Sequence, residues 1–105
     1  MARLVLLRGH SLTAVSELAS EGLDINVDGD SPVCGPTGTV DSPRLRFNKA
    51  DSGKVSFVRL SGAPLVELNG KKIEGAPLES GDRIVVGDHT IYLWDPRHDE
   101  TAMSE

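Results

Sequence analysis

The side chains that could do chemistry are few and scattered. Asp28-Gly29-Asp30 opens like a calcium-binding loop, in which alternating carboxylates surround a hard cation. The pattern then fails, because Pro32 stands where a ligand belongs and no glutamate closes the loop. Asp and Gly build surface turns unaided, and that reading needs no ion. His10, His89 and His98 lie far apart, and no Cys/His pair has zinc spacing. Cys34, the single cysteine, would need a base beside it to act as a nucleophile, and a lone thiol in a Gly/Pro loop is more often inert. Gly35-Pro36-Thr37-Gly38 lacks the Gly-Lys-Ser/Thr ending and the helix of a phosphate loop. The expectation is no catalysis, no metal and no cofactor.

Arg44 and Arg46 are the cations best spaced to take an anion. Asp28, Asp30 and Asp41 lie near enough in sequence to compete for them, so internal ion pairs or solvent are their expected partners. A pocket rebuilt around Arg44 and Arg46 that reads phosphopeptides is the alternative, since Arg clusters read such motifs. A net charge of −5 argues against nucleic acid as the main ligand, which needs clustered Lys and Arg. Lys71-Lys72 reads as a solvated turn. No apolar run reaches the length of a membrane span. The apolar start of the chain is broken by Arg8 and followed by no small-residue cleavage site, so it reads as a strand. One cysteine excludes an internal disulfide and suits a reducing, cytoplasmic compartment.

The elements that must position these residues are short strands. Residues 3–7 form an apolar run, and Leu23, Ile25 and Val27 fall on one face of a period-two strand. Leu45 and Phe47 alternate inward, residues 55–60 and 66–68 are further strands, and Asn69-Gly70 is a tight hairpin turn. Residues 83–86 and 89–94 end the series, and Pro96 cannot continue a ladder. Residues 12–19 fit either a strand or one helix face, and the all-β surroundings favour the strand. Residues 28–38, dense in Gly, Pro, Asp and Ser, read as a loop. About ten short strands in 105 residues indicate one all-β sandwich or barrel. With four aromatic residues, Phe47, Phe57, Tyr92 and Trp94, its core must be aliphatic. Leu6, Ile25, Phe57, Leu68, Ile84 and Ile91 are expected inside, and Trp94 in the core or at the sheet edge, with an exposed interface anchor as its functional reading.

Val66-Glu67-Leu68-Asn69-Gly70-Lys71-Lys72-Ile73, then Pro77-Leu78 and Ser80-Gly81-Asp82-Arg83-Ile84-Val85-Val86-Gly87, resemble the second half of the forkhead-associated (FHA) family. Setting Ile25 and Val40 on the matching strand positions of the first half needs no gap, and the resemblance then covers about residues 3–95. It implies an FHA-like β-sandwich of about eleven short strands over residues 1–95, with a polar, disordered tail at 96–105. It also implies loops at one end that bind partners. The family's phosphothreonine-reading positions are not kept. Its phosphate-binding Arg falls on Val27 and the Gly before it on Asn26. Its phosphate-bonding Ser falls on Asp41, its loop-buttressing His on Arg44 and, with one inserted residue after Arg44, its backbone-gripping Asn on Pro64. A one-residue shift would put Ser42 on the Ser position and Leu45 on the His position. The expected function is a non-catalytic interaction module, a scaffold or assembly component that binds a protein partner independently of phosphothreonine. Its candidate contacts are Asp28, Asp30, Asp41, Ser42, Arg44, Ser61 and Pro64. Self-assembly into a homo-oligomer is the second alternative.

Overall fold

Strands form wherever aliphatic and polar residues alternate. The computed structural model describes residues 2–28 and 32–94, and among them no helix forms. The strands are β1 (Arg3–Arg8), β2 (Ser11–Glu17), β3 (Leu23–Asn26), β4 (Val33–Pro36), β5 (Leu45–Lys49) and β6 (Val55–Arg59). They continue with β7 (Val66–Leu68), β8 (Lys71–Lys72), β9 (Gly75–Leu78), β10 (Arg83–Val86) and β11 (His89–Trp94). One sheet has six strands in the order β2-β1-β11-β10-β7-β8, and the other five in the order β4-β3-β5-β6-β9. Every pairing is antiparallel.

The inward positions of both sheets meet in one core. Leu4, Leu6, Ile84, Val86, Ile91 and Leu93 come from the six-stranded sheet, and Ile25, Leu45, Phe47, Val55 and Phe57 from the other. Phe47 and Phe57 sit opposite each other on β5 and β6 with ring centroids 5.9 Å apart, adding an aromatic contact to an otherwise aliphatic core. Asn69 and Gly70 hold φ of 52° and 89°, as the tight primed hairpin turn between β7 and β8 requires.

The structure bears out one open sequence reading and corrects several others. Residues 11–17 are strand, which resolves the ambiguity there in favour of sheet. The expected loop at 28–38 contains β4, an edge strand that pairs only with β3 and ends in Pro36, where no ladder donor is needed. A second edge strand, β9, carries Pro77 and was masked by it. Lys71 and Lys72 form the short strand β8, although both are exposed. Leu68 is half-buried, because its strand lies near the edge of the sheet. Trp94 lies on the outer face of a central strand, 41% exposed, and so is neither core nor edge. Asp30 and the tail at 96–105 lie outside the described residues.

Candidate functional site

The site begins with β3. Leu23, Ile25 and Val27 point into the core, so Asp24 and Asn26 point outward. The chain leaves β4 at the far end of β3 and returns to β5 along the outside of β3. Asp24 and Asn26 are the two rungs that hold this returning segment. Asp24 Oδ2 accepts from the Gly38 amide at 3.1 Å. Asn26 Nδ2 donates to the carbonyls of Asp41 and Ser42, each at 3.0 Å, and its Oδ1 accepts from the Asp28 amide at 2.8 Å. Gly35 permits the close return, since a Cβ there would lie 2.8 Å from Thr39 Oγ1 and 3.2 Å from Val40 Cγ2.

Asp24 is fully buried although it faces away from the core, because this segment and Arg46 cover it. Arg46, one strand over and directly opposite in register, donates Nε to Oδ1 at 2.8 Å and an Nη2 hydrogen to Oδ2 at 3.1 Å. These bonds hold the Asp24 carboxyl below its usual pKa, against the opposing effect of burial. Neither Asp24 nor Asn26 was among the candidate contacts read from the sequence. The signal that could have found them is an acid and an amide on the outward face of a strand, with an arginine on the adjacent one.

Arg44 sits just before β5. Its amide donates to Ile25 O and its carbonyl accepts from Leu60 N, both at 2.8 Å, so its backbone is fixed from two sides. Its side chain turns to Asp28. Nε donates to both carboxylate oxygens at 2.9 and 3.1 Å, and Nη2 to Oδ2 at 2.7 Å. A further bond runs from Nη1 to Ser61 O at 3.2 Å. The guanidinium beside it keeps the Asp28 carboxyl below the usual carboxylate range. Gly62 suits this turn because its φ is +83°, and a Cβ there would displace the Arg44 guanidinium. The neighbouring turn is held from below by Arg59, which donates to Pro64 O at 3.0 Å and Ala63 O at 2.6 Å.

Most of the candidate contacts thus converge at one end of the sandwich. Asp28, Arg44, Ser61 and Pro64 form one cluster, and Asp41 and Ser42 adjoin it through Asn26. Arg8, Val27, Asp28, Arg44, Pro64, Gly87, Asp88 and His89 line an open hollow of about 430 Å³. His89 is buried at its base, 3% exposed. The chemistry available is hydrogen bonding and charge pairing. Cys34 packs against the core, and burial pushes its thiol up, away from nucleophilic thiolate.

No family model and no curated protein matches the chain. Solved structures do. The FHA domain of the CT664 protein from Chlamydia trachomatis matches with a TM-score of 0.67 at 16% identity, over 90% of this chain and 96% of that one. The FhaA FHA domain, solved in complex with the intracellular domain of Rv3910, matches at 0.62 with 21% identity over 89% and 99%. An FHA domain from a study of phosphothreonine-dependent interactions matches at 0.63 with 21% identity over 90% and 95%. The chain has the FHA fold.

Within that fold the sequence correspondences gain geometry. Val27, at the position of the family's phosphate-binding Arg, is 6% exposed and belongs to the core cluster. Arg44 faces the loop end, while Leu45 is fully buried. Buttressing of the returning segment is carried instead by Asp24, Asn26 and Arg46.

Proposed function

We propose that this FHA-fold domain is a non-catalytic interaction module. It binds a protein partner through the loop end formed by Asp28, Asp41, Ser42, Arg44, Ser61 and Pro64, and it does not require phosphothreonine. The observation that carries this reading is the Arg44–Asp28 pair. Arg44, the arginine hydrogen-bonded within this cluster, is already held at three hydrogen-bond contacts by a carboxylate of its own chain. A phosphate would have to displace Asp28 and would meet Asp41 and Asp88 nearby, while Val27 offers no donor. Each charge-assisted hydrogen bond contributes about 1.5–3 kcal/mol, so losing two or three removes most of a micromolar affinity. The FHA domains of similar structure include one solved with a protein partner and one studied for phosphothreonine dependence; this chain shares the partner-presenting scaffold, and its own loop residues favour the first use.

The test is isothermal titration against a degenerate phosphothreonine peptide library with unphosphorylated controls, alongside capture from native cell extract by the wild type and by loop variants. Weak and equal binding of the two libraries, with capture lost on Pro64→Glu or Asp41→Lys, is the expected result. Phosphate-dependent binding at low micromolar or tighter, abolished by Arg44→Ala, would establish the rebuilt pocket instead.

A further inference from the structure

The outer face of the six-stranded sheet is apolar where a sandwich should turn polar residues to water. Register places three rows on it. The first is Glu17, Arg3 and Trp94; the second Val15, Val5, Tyr92 and Arg83; the third Leu12, Leu7, Thr90, Val85 and Glu67. Leu12 and Val15 are three residues apart and would normally face opposite ways. The bulge in β2 near Thr13 brings both outward, where they pair with Leu7 and Val5. Leu12 is 62% exposed, Val15 54%, Tyr92 37% and Trp94 41%. Four of the seven exposed large hydrophobic residues among the described ones therefore lie on this single face.

We propose that a second copy of this chain covers the face, in a two-fold dimer distinct from the loop-end contact. The charges favour a copy. The chain carries −5, so most of its surface repels another, yet this face balances Arg3 and Arg83 against Glu17 and Glu67. A two-fold axis in the interface, running along the strands between β1 and β11, exchanges β1 with the copy's β11 and β2 with the copy's β10. Val5 then lies on Tyr92, Leu7 on Thr90, Leu12 on Val85 and Val15 on the aliphatic stem of Arg83. Arg3, which already stands 5.6 Å from the centroid of Trp94 in its own chain, meets the Trp94 of the copy. No pair of like charges is opposed in this arrangement.

The face spans four strands and three rows, roughly 19 by 20 Å, or about 400 Å² of projected area per copy. Both copies together reach about 800 Å², below the roughly 1,200–2,000 Å² of stable specific interfaces, so the dimer is weak and transient and should populate only at high concentration. Sedimentation equilibrium from about 10 µM to 1 mM tests it, with the emission of Trp94, the single tryptophan, as a second readout. The expected result is a monomer–dimer transition accompanied by a blue shift of Trp94. Val15→Lys and Leu12→Lys should each weaken it at least tenfold at unchanged Tm, while Arg44→Ala leaves it intact. A monomer at 1 mM overturns the proposal and leaves the face to a different protein. A dimer that survives both lysine variants, or one lost in Arg44→Ala, overturns it by placing the contact elsewhere. Neither result bears on the loop-end reading, which capture experiments test separately.

Discussion

Replacing Asp24 by Ala should destabilise the domain and loosen the segment at residues 37–44 together. The carboxylate accepts three hydrogen bonds, two from Arg46 and one from the Gly38 amide, and is completely shielded from solvent. Breaking a fully buried ion pair by removing one partner costs about 3–5 kcal/mol. Arg46 is 35% exposed and Gly38 lies at the surface, so water recovers part of what both lose. The discounted cost is about 2–3 kcal/mol. Against a stability of about 5–15 kcal/mol that is a large share, and it corresponds to a fall in Tm of about 8–20 °C. Urea unfolding of the wild type, Asp24→Ala, Arg46→Ala and the double variant measures it. The double variant should cost little more than either single one, with a coupling energy above about 1 kcal/mol. Exchange of the Gly38 amide should accelerate in Asp24→Ala while the core strands stay protected. An Asp24→Ala variant within about 0.5 kcal/mol of wild type, or strictly additive effects, would refute the idea that this pair buttresses the segment.

Acidification should show the same pair from another side. The Asp24 carboxyl is held below its usual pKa, so its contribution is complete above about pH 4 and is lost as pH falls through the lowered value. The stability gap between wild type and Asp24→Asn should therefore stay level from pH 7 to about 5 and narrow below about pH 4 in acid-titrated unfolding curves. Gly62→Ala should destabilise by about 1–2 kcal/mol from the left-handed backbone alone, and shift the resonances of the Arg44 side chain because the new methyl occupies its place. Ile84→Ala should cost about 2–5 kcal/mol by calorimetry, since Ile84 is 1% exposed between the sheets; an unchanged Tm would contradict its place in the core.

The sheet was legible in the sequence wherever one face of a strand is buried and the other wet. Leu23, Ile25 and Val27 show it, as do Ile84 with Val86 and Ile91 with Leu93, because their period of two is the pleat itself. Edge strands were not legible. β4 and β9 pair on one side only, so Gly35, Pro36 and Pro77 are tolerated and hide the pattern. The loop cluster was legible in part. The pairing of Arg44 with an acid followed from local charge, and Asp28 is that acid. The pairing of Arg46 with Asp24 did not follow, because it depends on which residues of β3 and β5 stand opposite each other, a register fixed only by the assembled sheet. The apolar outer face escaped notice for a similar reason. A bulge placed Leu12 and Val15 on one side, whereas alternation places them on two.

The two ion pairs together explain how the loop end keeps a defined shape. In a ligand-dependent pocket, cationic donors converge on an empty position and repel one another until an anion arrives. Here each arginine has its counter-charge built in: Arg46 takes Asp24 beneath the returning segment, and Arg44 takes Asp28 at its rim. Asn26 lies between them on the same strand and ties Asp41 and Ser42 down without charge. The segment that presents Asp41 and Ser42 is therefore fixed by β3 before any partner binds, and the turn presenting Ser61 and Pro64 is fixed by Arg44 and Arg59. Ordering these residues ahead of binding lowers the entropy lost on association, so selectivity can rest on shape and hydrogen bonding alone. On the proposed reading, with Arg44 and Arg46 already paired inside the chain, the affinity for a partner at this end should vary little with salt.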